Sequence, residues 1–371
     1  MNNLRELIEI SRRYGTNKGM VLAGGGNTSE KDNHVMYIKA SGHELATIDE
    51  SGFVKMDLVK LHAVWTNTYA ENTKDRETQV LADMMDARCE GEHARPSVEA
   101  LLHSIIPHRF VVHLHPGLVN GVTCSCSGKE TISGLFGDRA VWIPLVNPGY
   151  ILAKTVKDVV SVHEKKTGGY PRMLFLQNHG VFVSADTITG VDELYDEIMN
   201  RLSEALIRVP DLTVLPIDQH RKQIVVSAMK DYYRTSEEPY ELMNSELAAR
   251  LKDAASFIPI SSAFTPDHIV YSGFKPLWVD EGLFRAADPA AALKRLFSAY
   301  EEQYGVIPKS VVVQNTGVFT VEERAMILYL DTVRIAAYAE SFGGARFMDE
   351  DQISFIRNWE VEKYRAKVHA S

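Results

Sequence analysis

One stretch of this chain occurs twice. GGYPRMLFLQNHGVF (168–182) returns as YGVIPKSVVVQNTGVF (304–319), and in both an asparagine follows the proline at the same interval, Pro171 to Asn178 and Pro308 to Asn315. A long helical run comes after each copy, VDELYDEIMNRLSEALIRV and then RAMILYLDTVRIAAYAESF. Two copies are too few for a solenoid, whose units must stack several deep to bury a core. A contiguous match in the same order points instead to duplication of one strand–loop–helix unit. Upstream, FVVHLHP (110–116) pairs with HIVYSGF (268–274) as the preceding strand of each copy. The duplication therefore predicts two domains, 1–225 and 226–371.

The rest of the text alternates in the same way. LRELIEISRRYG has apolar residues at helical spacing and stops at Gly15. HVMYIKASG reads as a strand after the Gly-rich Gly24-Gly25-Gly26-Asn27-Thr28-Ser29, which reads as loop. PSVEALLHSII reads as a helix with Pro96 in its first turn. MLFLQNHGVFVSA reads as an apolar strand interrupted by Asn178-His179-Gly180. Strands alternating with helices predict an α/β fold, a central sheet covered on both faces in α/β/α layers.

Composition narrows the partners. The 371 residues carry 40 Lys+Arg against 49 Asp+Glu, a net charge of −9, which disfavours nucleic acid because phosphate binding needs a basic surface. No apolar run is long enough to span a membrane, and the charged start MNNLRELIEISRRYG is unlike a signal peptide. Three cysteines cannot build a disulfide framework, so a reduced cytoplasm is expected, with Cys124 and Cys126 as buried free thiols. Trp359, Glu360 and Tyr364 are expected to pack on a last helix.

The chemistry concentrates in the first copy. In a strand, alternate side chains share a face, so His113 and His115 point the same way, roughly 7 Å apart along the backbone. A third imidazole, His179, stands in the loop of another strand. Three protein ligands with one open position are what a catalytic zinc takes. Glu99 lies four residues before His103 on one helical face, and it reads either as a surface carboxylate or as a group beside the metal that carries a proton. The second copy offers Val270 or Tyr271, Gly273 or a neighbour, and Thr316 in place of the histidines. It is expected to have kept the fold and lost the chemical groups, leaving a structural or interface-forming role. Asn27-Thr28-Ser29, Lys39 and Ser41-Gly42 supply amides, hydroxyls and charge suited to an anion or a hydroxylated sugar.

Taken together, GGGNTS, IKASG, PSVEALLH, VVHLHP, IPLVNPGY and LQNHGVF resemble the class II aldolase/adducin family. The likeness is strongest to the aldolase part of bifunctional rhamnulose-1-phosphate aldolase/lactaldehyde dehydrogenase proteins, and it extends through FTPDHIVYSG, FGG and NWEVEKYR. No second Gly-rich dinucleotide fingerprint follows, so the appended dehydrogenase is not expected. The resemblance implies a class II aldolase-like fold, a zinc ion held by His113, His115 and His179, and Glu99 as acid/base residue. It implies a phosphate pocket lined by Gly26, Asn27, Ser41, Gly42 and Ser97, with Lys39 adding charge where Val98 replaces a second serine. The implied reaction cleaves a ketose 1-phosphate to dihydroxyacetone phosphate and a small aldehyde through a metal-stabilised enediolate. Epimerase, dehydratase or decarboxylase chemistry at the same site, and a non-catalytic adducin-like binding module, are the alternatives. A homo-oligomer is also implied, with small-molecule sugars or sugar phosphates as partners and no membrane.

Overall fold

The structure, a computed structural model, describes residues 4–359. Two units emerge among them, one formed by residues 4–123, 127–205 and 358–359, the other by 124–126 and 206–357. The division falls at 205/206, earlier than position 226. No described helix is long and apolar enough to cross a membrane.

The first unit is built on a seven-stranded sheet in the order β3-β2-β1-β4-β7-β6-β5. The strands are β1 Asn27–Lys31, β2 Val35–Lys39, β3 Phe53–Asp57, β4 Phe110–Leu114, β5 Ala140–Ile143, β6 Met173–Leu176 and β7 Gly180–Ala185. All neighbours are antiparallel except β5 and β6. Its helices are α1 Arg5–Thr16, α2 Leu58–Ala63, α3 Thr73–Asp86, α4 Ala100–Ile105, α5 Gly117–Thr123, α6 Gly128–Phe136, α7 Tyr150–Thr167 and α8 Ile188–Glu204. On one face α2, α4 and α7 pack together; on the other, α5 packs on α6 and α8. This is the expected three-layer arrangement. The core against α4 and α7 gathers Met36, Ile38, Val54, Val111, Leu152, Val156 and Phe182. Every residue of β4 is buried, because helices cover both faces of the middle of the sheet.

Three local readings change. MLFLQNHGVFVSA is not one interrupted strand but the antiparallel hairpin β6–β7. Asn27-Thr28-Ser29 is not loop: these residues open β1, pairing with β4 from Asn27 and with β2 from Ser29. In PSVEALLHSII the helix starts only at Ala100, since Pro96 bridges to Ala40 in extended conformation and Glu99 takes the N-cap.

The second unit repeats the order on a four-stranded sheet, β8-β11-β10-β9. Its elements are α9 Gln219–Tyr233, β8 Tyr240–Leu242, α10 Ser245–Arg250, α11 Ala254–Phe257, α12 Pro266–Tyr271, β9 Leu277–Val279, α13 Pro289–Tyr304, β10 Ser310–Val313, β11 Gly317–Thr320, α14 Glu323–Ala339 and α15 Glu350–Asn358. β9 and β10 are parallel, β10 and β11 form an antiparallel hairpin, and β8 pairs antiparallel with β11. That is the pattern of β5, β6, β7 and β4. Alternate residues of β10 serve opposite cores, Val311 and Val313 facing Phe297 of α13 while Val312 joins Tyr329 and Val333 of α14.

The hairpin turns match bond for bond. Asn178 and Asn315 are left-handed at φ 55° and 51°, a conformation asparagine tolerates better than most residues. The Asn178 amide donates to the Thr123 carbonyl (3.0 Å) and the Asn315 amide to the Leu251 carbonyl (2.9 Å). Gln177 donates to Ile143 (3.0 Å) just as Gln314 donates to Val279 (2.9 Å). The counterpart of the His113 strand is therefore β8, and the pairing of FVVHLHP with HIVYSGF is corrected. Residues 266–271 are helical because Thr265 caps them, its Oγ1 accepting from the His268 amide, and Pro266 occupies the first turn.

Cys89, Cys124 and Cys126 are free thiols; Cys124 is buried as expected, but Cys126 is exposed. Trp359 is buried, while Glu360 and Tyr364 lie outside the described residues.

Candidate active site

The site is assembled around β4. Its register places Asn27 of β1 opposite His113 on one side and Phe182 of β7 on the other. The Phe182 ring stacks on the His113 imidazole, centroids 3.9 Å apart and planes 14° apart, which fixes the ring orientation. His113 Nδ1 lies 3.0 Å from the Val181 carbonyl oxygen. A carbonyl only accepts, so Nδ1 carries the hydrogen and Nε2 keeps its lone pair.

His115 follows immediately after the strand, and His179 stands in the β6–β7 turn beside it. Nε2 of His115 lies 2.8 Å from Nε2 of His113, and one nitrogen from each of the three rings lies within 4.8 Å of the others. Nitrogens bound tetrahedrally to zinc sit about 3.3 Å apart, given bonds of roughly 2.0–2.1 Å. The observed spread brackets that value. Gly180 makes the approach possible: a Cβ there would stand 2.5 Å from the Leu114 carbonyl oxygen and 2.7 Å from the His115 ring.

Glu99 completes the group. Although it is the N-cap of α4, its side chain makes no capping bond. Instead Oε2 accepts from Nδ2 of Asn27 at 2.5 Å. Oε1 lies 3.5 Å from His113 Nε2 and 3.6 Å from His179 Nε2. It is buried and finds no hydrogen-bond donor among the described residues. A buried carboxylate oxygen without a donor is costly, and a cation among the histidines would satisfy it. Three imidazoles and a carboxylate oxygen form a donor set that suits a divalent ion with zinc's preferences. The residues present fit such an ion.

The remaining candidates are distributed as follows. Gly26 is left-handed at φ 75°, and a Cβ there would meet the His113 carbonyl oxygen at 2.8 Å, so glycine lets β1 close on β4. The hydroxyls of Thr28 and Ser29 turn inward, to Ser11 Oγ and to His103 Nδ1, each at 2.7 Å. Lys39 Nζ donates to the His43 carbonyl at 2.7 Å. The segments holding Ser41-Gly42 and Ser97 run side by side, with Ser41 N to Arg95 O at 2.8 Å and Ser97 N to Lys39 O at 3.0 Å. Ser97 Oγ accepts from the Glu99 amide at 3.3 Å. Sequence reasoning missed Asn27 as the donor that holds Glu99, Val181 as the carbonyl that sets the His113 tautomer, and Phe182 as its stacking partner. Only the alternation of Asn27 and Ser29 on one strand face hinted at an inward polar row.

In the second unit the matching positions are Glu241 for His113, Met243 for His115 and Thr316 for His179. Glu241 is paired with Lys222, and Arg221 reaches Thr316 Oγ1 at 3.4 Å and Glu281 Oε2 at 3.5 Å. Neither Val270 nor Tyr271 nor Gly273 stands at a ligand position.

Residues 5–198 match the model of the class II aldolase and adducin N-terminal domain. The chain belongs to the class II aldolase and adducin family. Its first unit thus carries the class II aldolase and adducin N-terminal domain together with the histidine group. The chain is 22% identical over 416 aligned positions to the "uncharacterized oxidoreductase YuxG" of Bacillus subtilis strain 168. The match covers 98% of this chain and 58% of that protein, so the chain spans a little over half of that relative's length. Among solved structures it is similar to the N-terminal class II aldolase domain of a conserved protein from Thermoplasma acidophilum. That likeness has 26% identity and a TM-score of 0.46, and covers 55% of this chain and 93% of the other. L-fuculose 1-phosphate aldolase from Thermus thermophilus matches at 18% identity and a TM-score of 0.33, covering 54% and 92%.

Proposed function

We propose that this class II aldolase unit binds one zinc ion through His113, His115 and His179 and cleaves a ketose 1-phosphate, rhamnulose 1-phosphate being the first candidate. The products are dihydroxyacetone phosphate and a small aldehyde. The observation that carries the reading is the buried Oε1 of Glu99, without a donor and directed at two imidazole nitrogens. Bound there, the ion supplies a Lewis acid for the substrate carbonyl. The C3–C4 bond breaks with its electron pair left on C3, beside the C2 carbonyl, while the C4 hydroxyl passes its proton to the ionised Glu99 carboxylate and becomes the aldehyde. Glu99 then hands that proton to C3. Gly26, Asn27, Lys39, Ser41, Gly42 and Ser97 are read as the wall for the phosphate or sugar hydroxyls.

The second unit, with Glu241, Met243 and Thr316 in place of ligands, is read as structural or interface-forming. We read the assembly as a homo-oligomer in the cytoplasm, where free thiols persist; a monomer by light scattering would refute the first point. The deciding experiment strips the protein of metal and follows aldehyde release from a panel of phosphorylated and free ketoses. Loss on stripping and return with zinc are expected, and an unchanged rate in metal-free protein overturns the mechanism. Product analysis separates cleavage from epimerisation, dehydration or decarboxylation. A protein that binds no metal, and whose melting is unmoved by chelator, is the adducin-like binding module instead.

A further inference from the structure

Behind Glu99 lies a hydrogen-bonded row that the reaction itself does not call for. His103, fully buried, sits one turn along α4, its amide donating to the Glu99 carbonyl at 2.9 Å. Its Nε2 bonds Oδ1 of Asn27 and its Nδ1 lies 2.7 Å from Ser29 Oγ. Asn27 in turn donates from Nδ2 to Glu99 Oε2. The chemistry of each group leaves one consistent assignment. An ionised carboxylate only accepts, so the Asn27 atom facing it is the NH2 group. Asn27 Oδ1 then faces His103 and needs a donor, so Nε2 carries the hydrogen. Nδ1 is left to accept from the Ser29 hydroxyl. Burial, with Lys31 and His113 nearby, holds the His103 imidazole well below its ordinary pKa, so the ring stays neutral and this tautomer persists.

We propose that His103 is a positioning residue, locking the Asn27 amide in one orientation so that it clamps Oε2 of Glu99 and leaves Oε1 aimed between His113 and His179. An asparagine without this partner could turn its amide over. Its carbonyl would then face the carboxylate, and Glu99 would be pushed from its place. The proposal rests on the reading of Glu99 as proton carrier, but it also makes a claim about the metal-free protein that stands without any activity.

The test compares His103→Phe, which keeps the ring volume and removes the donor, with His103→Gln, whose amide can still donate to Asn27. In metal-free protein labelled with 15N-asparagine, the Asn27 side-chain amide is expected downfield and slow to exchange. That signature should vanish in H103F and return in H103Q. In zinc-loaded protein H103F should lose about 10- to 100-fold in kcat, the scale of a misplaced catalytic group, with zinc content near wild type. H103Q should recover to within about threefold of the parent rate. An Asn27 resonance unchanged in H103F overturns the proposal, as does a kcat that Gln fails to restore. Should the parent enzyme show no aldolase activity, the amide resonance alone still decides, so failure of the functional reading is told apart from failure of this one.

Discussion

The two hairpins, β6–β7 and β10–β11, share their backbone and little of their chemistry. Both turn on a left-handed asparagine, and both hang that turn from the carbonyl of a helix C-terminus, Thr123 in one and Leu251 in the other. Both also press a glycine against a neighbouring carbonyl, Gly180 on Leu114 and Gly317 on Leu242. In the first unit that frame presents three imidazoles and a carboxylate oxygen. In the second it presents a glutamate neutralised by Lys222, a methionine, and a threonine beside Arg221. Backbone hydrogen bonds specify the frame in both units, so side chains at the mouth could change without unfolding it. The fold is common property; the site belongs to one copy.

This contrast can be broken most forcefully at its centre. His113→Ala should lower the cleavage rate on the order of 10³-fold, the scale of lost electrostatic stabilisation, while Glu241→Ala should leave it within about twofold. Steady-state rates on the same ketose 1-phosphate check both. A comparable loss from Glu241→Ala would mean that the second copy has chemistry of its own. Grafting is the converse. The quadruple variant Glu241→His, Met243→His, Thr316→His, Lys222→Met should raise bound cobalt from one to two equivalents per chain, counted by elemental analysis. If the second equivalent does not bind, backbone likeness alone does not make a ligand frame.

Smaller effects come from the frame. Asn178→Ala and Asn315→Ala should each cost about 1–2 kcal/mol in urea unfolding, because alanine resists the left-handed region. Only the Asn178 change should also weaken zinc binding. The last effect, spread over a pH window, concerns β1, a strand without an equivalent in the second sheet. Burial pushes Lys31 down to about 7, while its Nζ donates to the His103 carbonyl at 2.6 Å. Between that pH and about 10.5 the unfolded chain holds a proton that the folded chain has released, so this lysine makes stability rise with pH there. Lys31→Met should therefore flatten the rise, its stability relative to the parent declining as pH climbs from about 7. Urea midpoints across that window are the measurement.

Much of this is legible in the text, for identifiable reasons. His113 and His115 alternate within a β-branched run, and Asn178-His179-Gly180 sits in a repeated motif, so the ligand group can be gathered without coordinates. The hairpin is legible as a repeat because it is local and contiguous. Its upstream partner is not, because β8 is three residues long and holds Tyr240-Glu241-Leu242, with no apolar run to advertise it. HIVYSGF looks like a strand by its Ile and Val, but Thr265-Pro266 just before it is a helix start, and capping outweighs β propensity. Sequence alone assigns Asn27 to an anion because its bond to Glu99 joins residues far apart in the chain. That pairing exists only once β1 lies against β4.

The closeness of Gly180 to its neighbours also limits how such a protein can drift. At position 317 a side chain would trouble only the main chain, since the next neighbour, Met243 Cβ, stands 3.6 Å off. At 180 the same change would also evict an imidazole. One missing methyl group thus guards the backbone alone in one copy and a histidine ring as well in the other, and a mutational survey would find position 317 intolerant through its main chain and position 180 through an imidazole too.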